Sequence, residues 1–138
     1  MVAMGHRTHI GAHGEPPLGV NYHAEMMFTK AGGLTNYEVR SFPPHSDDPL
    51  TAPQVLRAAS LDAAITLGID DAVGSLTPGK LADFVVYPPG VDLLEGDISV
   101  TRDIRYVVRG GRVWDAATMA EVWPVAGRRE PMPPLNAE

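Results

Sequence analysis

The stretch Gly74-Ser75-Leu76-Thr77-Pro78-Gly79-Lys80-Leu81-Ala82-Asp83-Phe84-Val85-Val86-Tyr87 restricts the fold more than any other part of the chain. Thr77-Pro78-Gly79-Lys80 places Pro where a type II turn fixes φ near −65° and Gly where that turn needs a positive φ. Phe84 to Tyr87 is a short apolar and aromatic run, which suits a strand buried on both faces. The residues alone describe a hairpin corner with a buried strand behind it.

The flanks extend this pattern. Ile104 to Arg109 alternates as a strand should, Gly110-Gly111 is a two-residue hairpin turn, and Arg112-Val113-Trp114 returns. This hairpin is expected to pair with the Phe84–Tyr87 strand. Residues 91–103 form an irregular acidic connection. Met119 to Trp123 forms a short final turn, and a Pro-rich disordered tail follows from Pro124. Upstream, Leu56, Ala59, Ala63 and Leu67 repeat at helical spacing, so a helix is expected from Pro53 to Leu67, capped by Gly68. Asp70 and Asp71 then belong to a solvated turn.

The first third is less regular. Asn21 is expected to cap a helix from Tyr22 to Lys30, on which His23, Met26, Met27 and Lys30 share a face. Met26 and Met27 read as packing residues. His23 in the first turn reads equally as a site residue or a half-buried packing residue. Capping boxes are expected at Thr35–Glu38 and Thr51–Gln54. Between them lies a Pro-, Ser- and Asp-rich loop, whose His45, Asp47 and Asp48 read as solvated. Arg7 to Ala12 suggests a short strand. His9 and His13 would share one of its faces, with His6 on the other. On spacing alone these histidines match no closed metal site.

Composition excludes several functions. A net charge of −6 with no basic stripe argues against nucleic-acid binding. No apolar run approaches the ~20 residues that span a bilayer. The chain has no Cys, so disulfides and thiolate metal sites are excluded, although the compartment is not fixed. No nucleophile elbow, P-loop or dinucleotide fingerprint is present.

The stretch at 74–87 resembles the "G-S-hydrophobic-x-P-G-K-hydrophobic-A-D-hydrophobic-V-V" signature of the amidohydrolase superfamily. Ala58–Gly68 before it and Tyr106–Val113 after it agree in order and spacing, and the likeness is to imidazolonepropionase-like and related members. The resemblance implies an α/β fold: the tail of a (β/α)8 metal-dependent hydrolase barrel, comprising its last strand and helices, followed by part of a small composite β-sandwich. Residues 1–68 would be the barrel segment, with an inserted loop at 40–53. Residues 69–124 would be the sandwich segment and 125–138 the disordered tail. A complete barrel needs about 250 residues, so the 138 present would supply only its C-terminal part.

Such enzymes bind divalent metal, often zinc, which lowers the pKa of a bound water to about 7 for attack on an amide or cyclic amide. Resemblance places His13, in "G-A-H-G", at the strand-eight position that binds metal and takes a proton, where the superfamily usually has Asp. It also places Glu15, Asn21 and His23 on the substrate-facing loop and helix start, with His23-Ala24-Glu25 as an "H-x-E" motif. The expected cofactor is zinc in the complete enzyme, with none held tightly by this chain alone. Expected partners are a small-molecule substrate, the missing N-terminal barrel portion or a partner chain, and a second copy of the chain. The apolar residues Ile10, Met26, Phe28, Leu56 and Leu67 would form the associating surface. A second reading stays open: a non-catalytic module with a structural or interaction role.

Overall fold

The computed structural model of the protein describes residues 7–11, 20–31, 50–95 and 97–128. They form two compact units. One gathers the described residues up to Lys80 with Gly90–Arg102. The other gathers Leu81–Pro89 with the described residues from Asp103 onward. The architecture is mixed, with helices in the first unit and a four-stranded antiparallel sheet in the second.

In the first unit, α1 runs over Val20–Ala31, α2 over Ala52–Ala58 and α3 over Leu61–Leu67. α1 starts ahead of the expected cap, so Asn21 lies inside the helix instead of closing its end. α2 starts where its capping box predicts. Thr51 Oγ1 accepts from Gln54 N at 3.4 Å, and the Gln54 side chain accepts from Thr51 N at 2.8 Å. Ala52, assigned to the inserted loop, therefore belongs to this helix, as does Pro53, where the helix is expected to start. The remainder of that loop, with His45, Asp47, Asp48 and the Thr35–Glu38 box, lies outside the described residues.

The single helix expected from Pro53 to Leu67 is broken at Ala59–Ser60. The Ser60 hydroxyl donates to Leu56 O at 2.7 Å, competing with the backbone for an i−4 carbonyl, and Ser60 adopts φ −134° and ψ −86°. The break releases carbonyls that a continuous helix would consume. Ala58 O accepts from Ile10 N at 3.2 Å, and Ala59 O accepts from the Tyr22 hydroxyl. Two carbonyls thus fasten the N-terminal segment and α1 to the end of α2. Arg57 Nε spans the gap to Asp62 Oδ1 at 3.1 Å. Gly68 closes α3 in the left-handed conformation, φ 68°, as anticipated.

The core of this unit is Ile10, Met26, Ala52, Val55, Ala58 and Ile98, with Tyr22, Met27, Leu50, Leu56 and Ala59 packed around it. Ile10 and Met26 are thus interior residues and do not belong to an exposed associating surface, whereas Leu67 is 71% exposed. Described residues 7–11 carry no strand, so the face proposed for His9 and His13 is not formed there, and His9 is exposed. The connection at 91–103 is more ordered than its composition suggests. It holds a 3-10 helix at Ile98–Arg102, started by Asp97, whose carboxylate accepts from Ser99 N at 3.0 Å and Ser99 Oγ at 2.7 Å.

The signature stretch has a distinct physical reason at each constrained position. Gly74 has φ +90°, and a Cβ there would stand 2.7 Å from Ala64 Cβ and 3.2 Å from Leu61 Cα. It is the only residue that fits against α3. Thr77 to Lys80 forms the expected turn, with Gly79 at φ +96° and Lys80 N donating to Thr77 O at 3.2 Å. No strand among the described residues precedes this turn, so it is not a hairpin corner there.

The second unit is a meander in the order β1-β2-β3-β4: Phe84–Val86, Tyr106–Arg109, Arg112–Asp115 and Glu121–Trp123. β1 pairs with β2, as the sequence predicts, and the register sets Phe84 opposite Val108. Gly110 and Gly111, φ 55° and 76°, turn β2 into β3 with both residues left-handed. Asp83 fastens this turn: its Oδ1 accepts from Gly110 N at 2.6 Å. The expectation of a strand buried on both faces fails, since Phe84, Val85 and Val86 are all at least 36% exposed. A single sheet with three-residue β1 at its edge has too few layers to cover both faces. Of the final turn expected at 119–123, Glu121–Trp123 is instead strand β4. It contains Glu121, which is buried and gripped by Arg112 through Nε at 3.1 Å and Nη2 at 2.6 Å. Residues 124–128 fold back on this strand, Glu121 N donating to Arg128 O at 2.8 Å.

Candidate functional site

His13 and Glu15 lie outside the described residues. Asn21 and His23 lie two residues apart in the first turn of α1, and both are half-buried. Tyr22 between them is tied to Ala59 O, and Met26 one turn on is buried in the core. These two anchors fix the rotation of α1 and hence the position of His23.

The structure brings to His23 a residue that sequence reasoning missed. Nδ1 of His23 lies 3.0 Å from Oγ1 of Thr101, 78 positions along the chain. Thr101 is only 1% exposed and donates its hydroxyl proton to Ile98 O at 2.8 Å. Ile98 is itself seated in the core. The 3-10 helix is therefore pinned from below by Ile98 and meets α1 at Thr101. A signal existed in the sequence: Asp97-Ile98-Ser99 has the Asp that starts a helical turn, with one apolar residue to anchor it.

Burial first, and then the positive charge of Arg102, lower the pKa of His23 below its ordinary value. The side chain is thus held as neutral imidazole at neutral pH, the form that accepts hydrogen bonds or protons. Tyr22 shifts the other way, its phenol raised by burial, and stays protonated. Asp97 is held below the usual carboxylate range, chiefly by the backbone and side-chain bonds from Ser99, with Lys30 and Arg102 adding to it. The local arrangement is a neutral imidazole on a rigid helix turn, with cations and one capped carboxylate nearby.

The amidohydrolase family model matches residues 23–114, more than half of the chain. The chain belongs to the amidohydrolase family. No curated protein matches it. The family is one of hydrolases, and the match in this amidohydrolase-family chain opens at His23 and runs through the signature stretch to Trp114 in β3. His13, Glu15 and Asn21 precede the matched region. Family members usually use a divalent metal. Among the described residues no three His, Asp or Glu side chains gather closely enough to hold one, so the described part does not form such a site by itself. Among the same residues no helix is long and apolar enough to cross a membrane.

Proposed function

We propose that this chain supplies the C-terminal part of a metal-dependent, imidazolonepropionase-like amidohydrolase that uses water to cleave C–N bonds of amides or cyclic amides. The family match over residues 23–114 supports this reading most directly. In it, residues 1–68 are the last segment of a (β/α)8 barrel, with 69–124 as part of the composite β-sandwich and 125–138 as a tail. Residues 7–11, which carry no strand here, would complete the last barrel strand only against the rest of the barrel, and His13 just beyond them is the metal ligand or base. Glu15, Asn21 and His23 contact the substrate, the C-terminal ends of such strands being where these barrels place their sites. The cofactor is a divalent metal, zinc, whose remaining ligands come from the rest of the barrel, supplied by the same polypeptide or a partner chain. The working form is a homo-oligomer.

The test is kinetic. The chain is produced together with the coding sequence that adjoins it upstream, and amine or acid release is followed from a panel of amides and cyclic amides, with and without chelator. Chelation should abolish turnover. His13→Ala should lower kcat by roughly 10²–10⁴-fold, the worth of a general base. His45→Ala should leave turnover within twofold or so, because surface substitutions rarely exceed about ±0.5 kcal/mol. Full activity in His13→Ala, or equal losses in both variants, overturns the assignment.

A further inference from the structure

We propose that Thr101 is a positioning residue that holds His23 in the tautomer with its proton on Nδ1, so that Nε2 is presented as a hydrogen-bond acceptor for an amide N–H of the substrate. The direction of this recognition rests on the hydrolase reading above; the tautomer rests on the geometry alone.

The geometry is a short relay with one permitted polarity. A backbone carbonyl only accepts, so the 2.8 Å approach of Thr101 Oγ1 to Ile98 O requires the threonine proton to lie between them. A hydroxyl has one proton. Towards His23 Nδ1, at 3.0 Å, the same oxygen can then only accept, and Nδ1 must carry the hydrogen. In a neutral ring the other nitrogen keeps its lone pair. The relay is rigid because Ile98 is 3% exposed in the core and Thr101 1% exposed above it. The partial burial of the ring and then the positive charge of Arg102 oppose a second proton. Nε2 is therefore an acceptor at neutral pH and not a donor. This reverses the usual preference of free imidazole, which places the neutral proton on Nε2. It suits a substrate that brings an N–H, as a secondary or cyclic amide does, and disfavours one that presents only a carbonyl to this nitrogen.

Two measurements test this separately. The first is ring-nitrogen NMR of the 15N-labelled chain at neutral pH. His23 should show a protonated Nδ1 and an unprotonated Nε2. Thr101→Val keeps the shape and removes the hydroxyl, and should shift the population towards the Nε2–H form. Thr101→Ser should restore the Nδ1–H form. A dominant Nε2–H form in the unaltered chain overturns the proposal without any variant. A spectrum that Thr101→Val leaves unchanged also overturns it. The second measurement uses the active hydrolase and a cyclic-amide substrate. His23→Leu should raise KM roughly two- to tenfold, the worth of one neutral hydrogen bond. Thr101→Val should raise it in the same direction, and Thr101→Ser and His23→Gln, whose side-chain oxygen can also accept, should recover part of the loss. If the NMR shows the Nδ1–H form but His23→Leu leaves KM unmoved, the tautomer relay holds and the placement of His23 at the substrate is refuted.

Discussion

Replacing Gly74 by Ala separates two costs that the signature glycine conceals. The first is conformational. At φ +90° an L-residue sits in the left-handed region, which costs roughly 1–2 kcal/mol. The second is steric. The new Cβ would lie 2.7 Å from Ala64 Cβ, 3.2 Å from Leu61 Cα and 3.4 Å from Ser60 O. Carbon atoms prefer separations of ~3.5–4.0 Å, so α3 or the chain at 74 must move. Forcing a group into packed surroundings costs about 1–3 kcal/mol. Together the loss is roughly 2–5 kcal/mol, a large share of the ~5–15 kcal/mol that holds a typical domain.

Gly79 supplies the control: its φ is +96°, but nothing lies within 4 Å of a Cβ there. Gly79→Ala should therefore show only the first cost, about 1–2 kcal/mol. Urea unfolding followed by circular dichroism measures both. A double-mutant cycle isolates the contact. Ala64→Gly alone should cost roughly 0.5–1 kcal/mol as a glycine inside a helix, and in the Gly74→Ala background it should cost less or stabilise. Equal midpoint shifts for Gly74→Ala and Gly79→Ala, or a strictly additive cycle, would refute the packing argument and leave only backbone strain.

Further outcomes can be checked with the same equipment. His23 has a folded pKa below its ordinary value of 6.5, so the unfolded chain takes up the proton first. Its share of stability is present above pH ~6.5 and is lost as pH falls through the lower folded value; His23→Gln should flatten the stability curve between neutral and mildly acidic pH. Glu121 runs to more acidic pH: the Arg112 bond lowers its pKa more than burial raises it. Its contribution is present above the ordinary carboxylate value and fades as pH falls below it, so Glu121→Gln should lower Tm at neutral pH and narrow the gap to wild type in acid. Tyr22→Phe leaves Ala59 O without its hydroxyl donor and should cost about 1 kcal/mol, read from the urea midpoint. Zinc should bind the chain alone weakly, since one or two His do not complete a four-ligand site; tight one-to-one binding by calorimetry would contradict this.

Elements defined by special backbone geometry were legible in the sequence. Thr51–Gln54, Pro78-Gly79, Gly68 and Gly110-Gly111 each announce a cap or turn through residue types that few other conformations accept, and all four form as expected. What depends on distant partners was not legible. Nothing local distinguishes the Ser60 that bonds back to Leu56 from a serine tolerated in mid-helix, so the break has no signature in the sequence. Phe84–Val86 has the composition of a buried strand, but burial is decided by how many layers lie over it. The site divides the same way. His23 was visible as a helix-start histidine, whereas Thr101 became relevant only through a contact across 78 residues. Asp97-Ile98-Ser99 marks the turn that carries this threonine, but nothing local marks its partner on α1.

The segment Gly90–Arg102 leaves the sheet unit after β1, lodges Ile98 and Thr101 in the helical unit, and returns before β2. The chain therefore crosses between the two units three times, and neither is a contiguous stretch. No single cut in the polypeptide can release either one whole. A fragment ending at Lys80 would hold His23 but lack both the residue that orients it and a side chain of its own core. Conversely, grafting the sheet onto another protein would require a new bridge from Pro89 to Asp103. Insertions and gene fusions should be tolerated poorly within 90–102, even though its acidic, turn-rich composition looks like that of a dispensable loop.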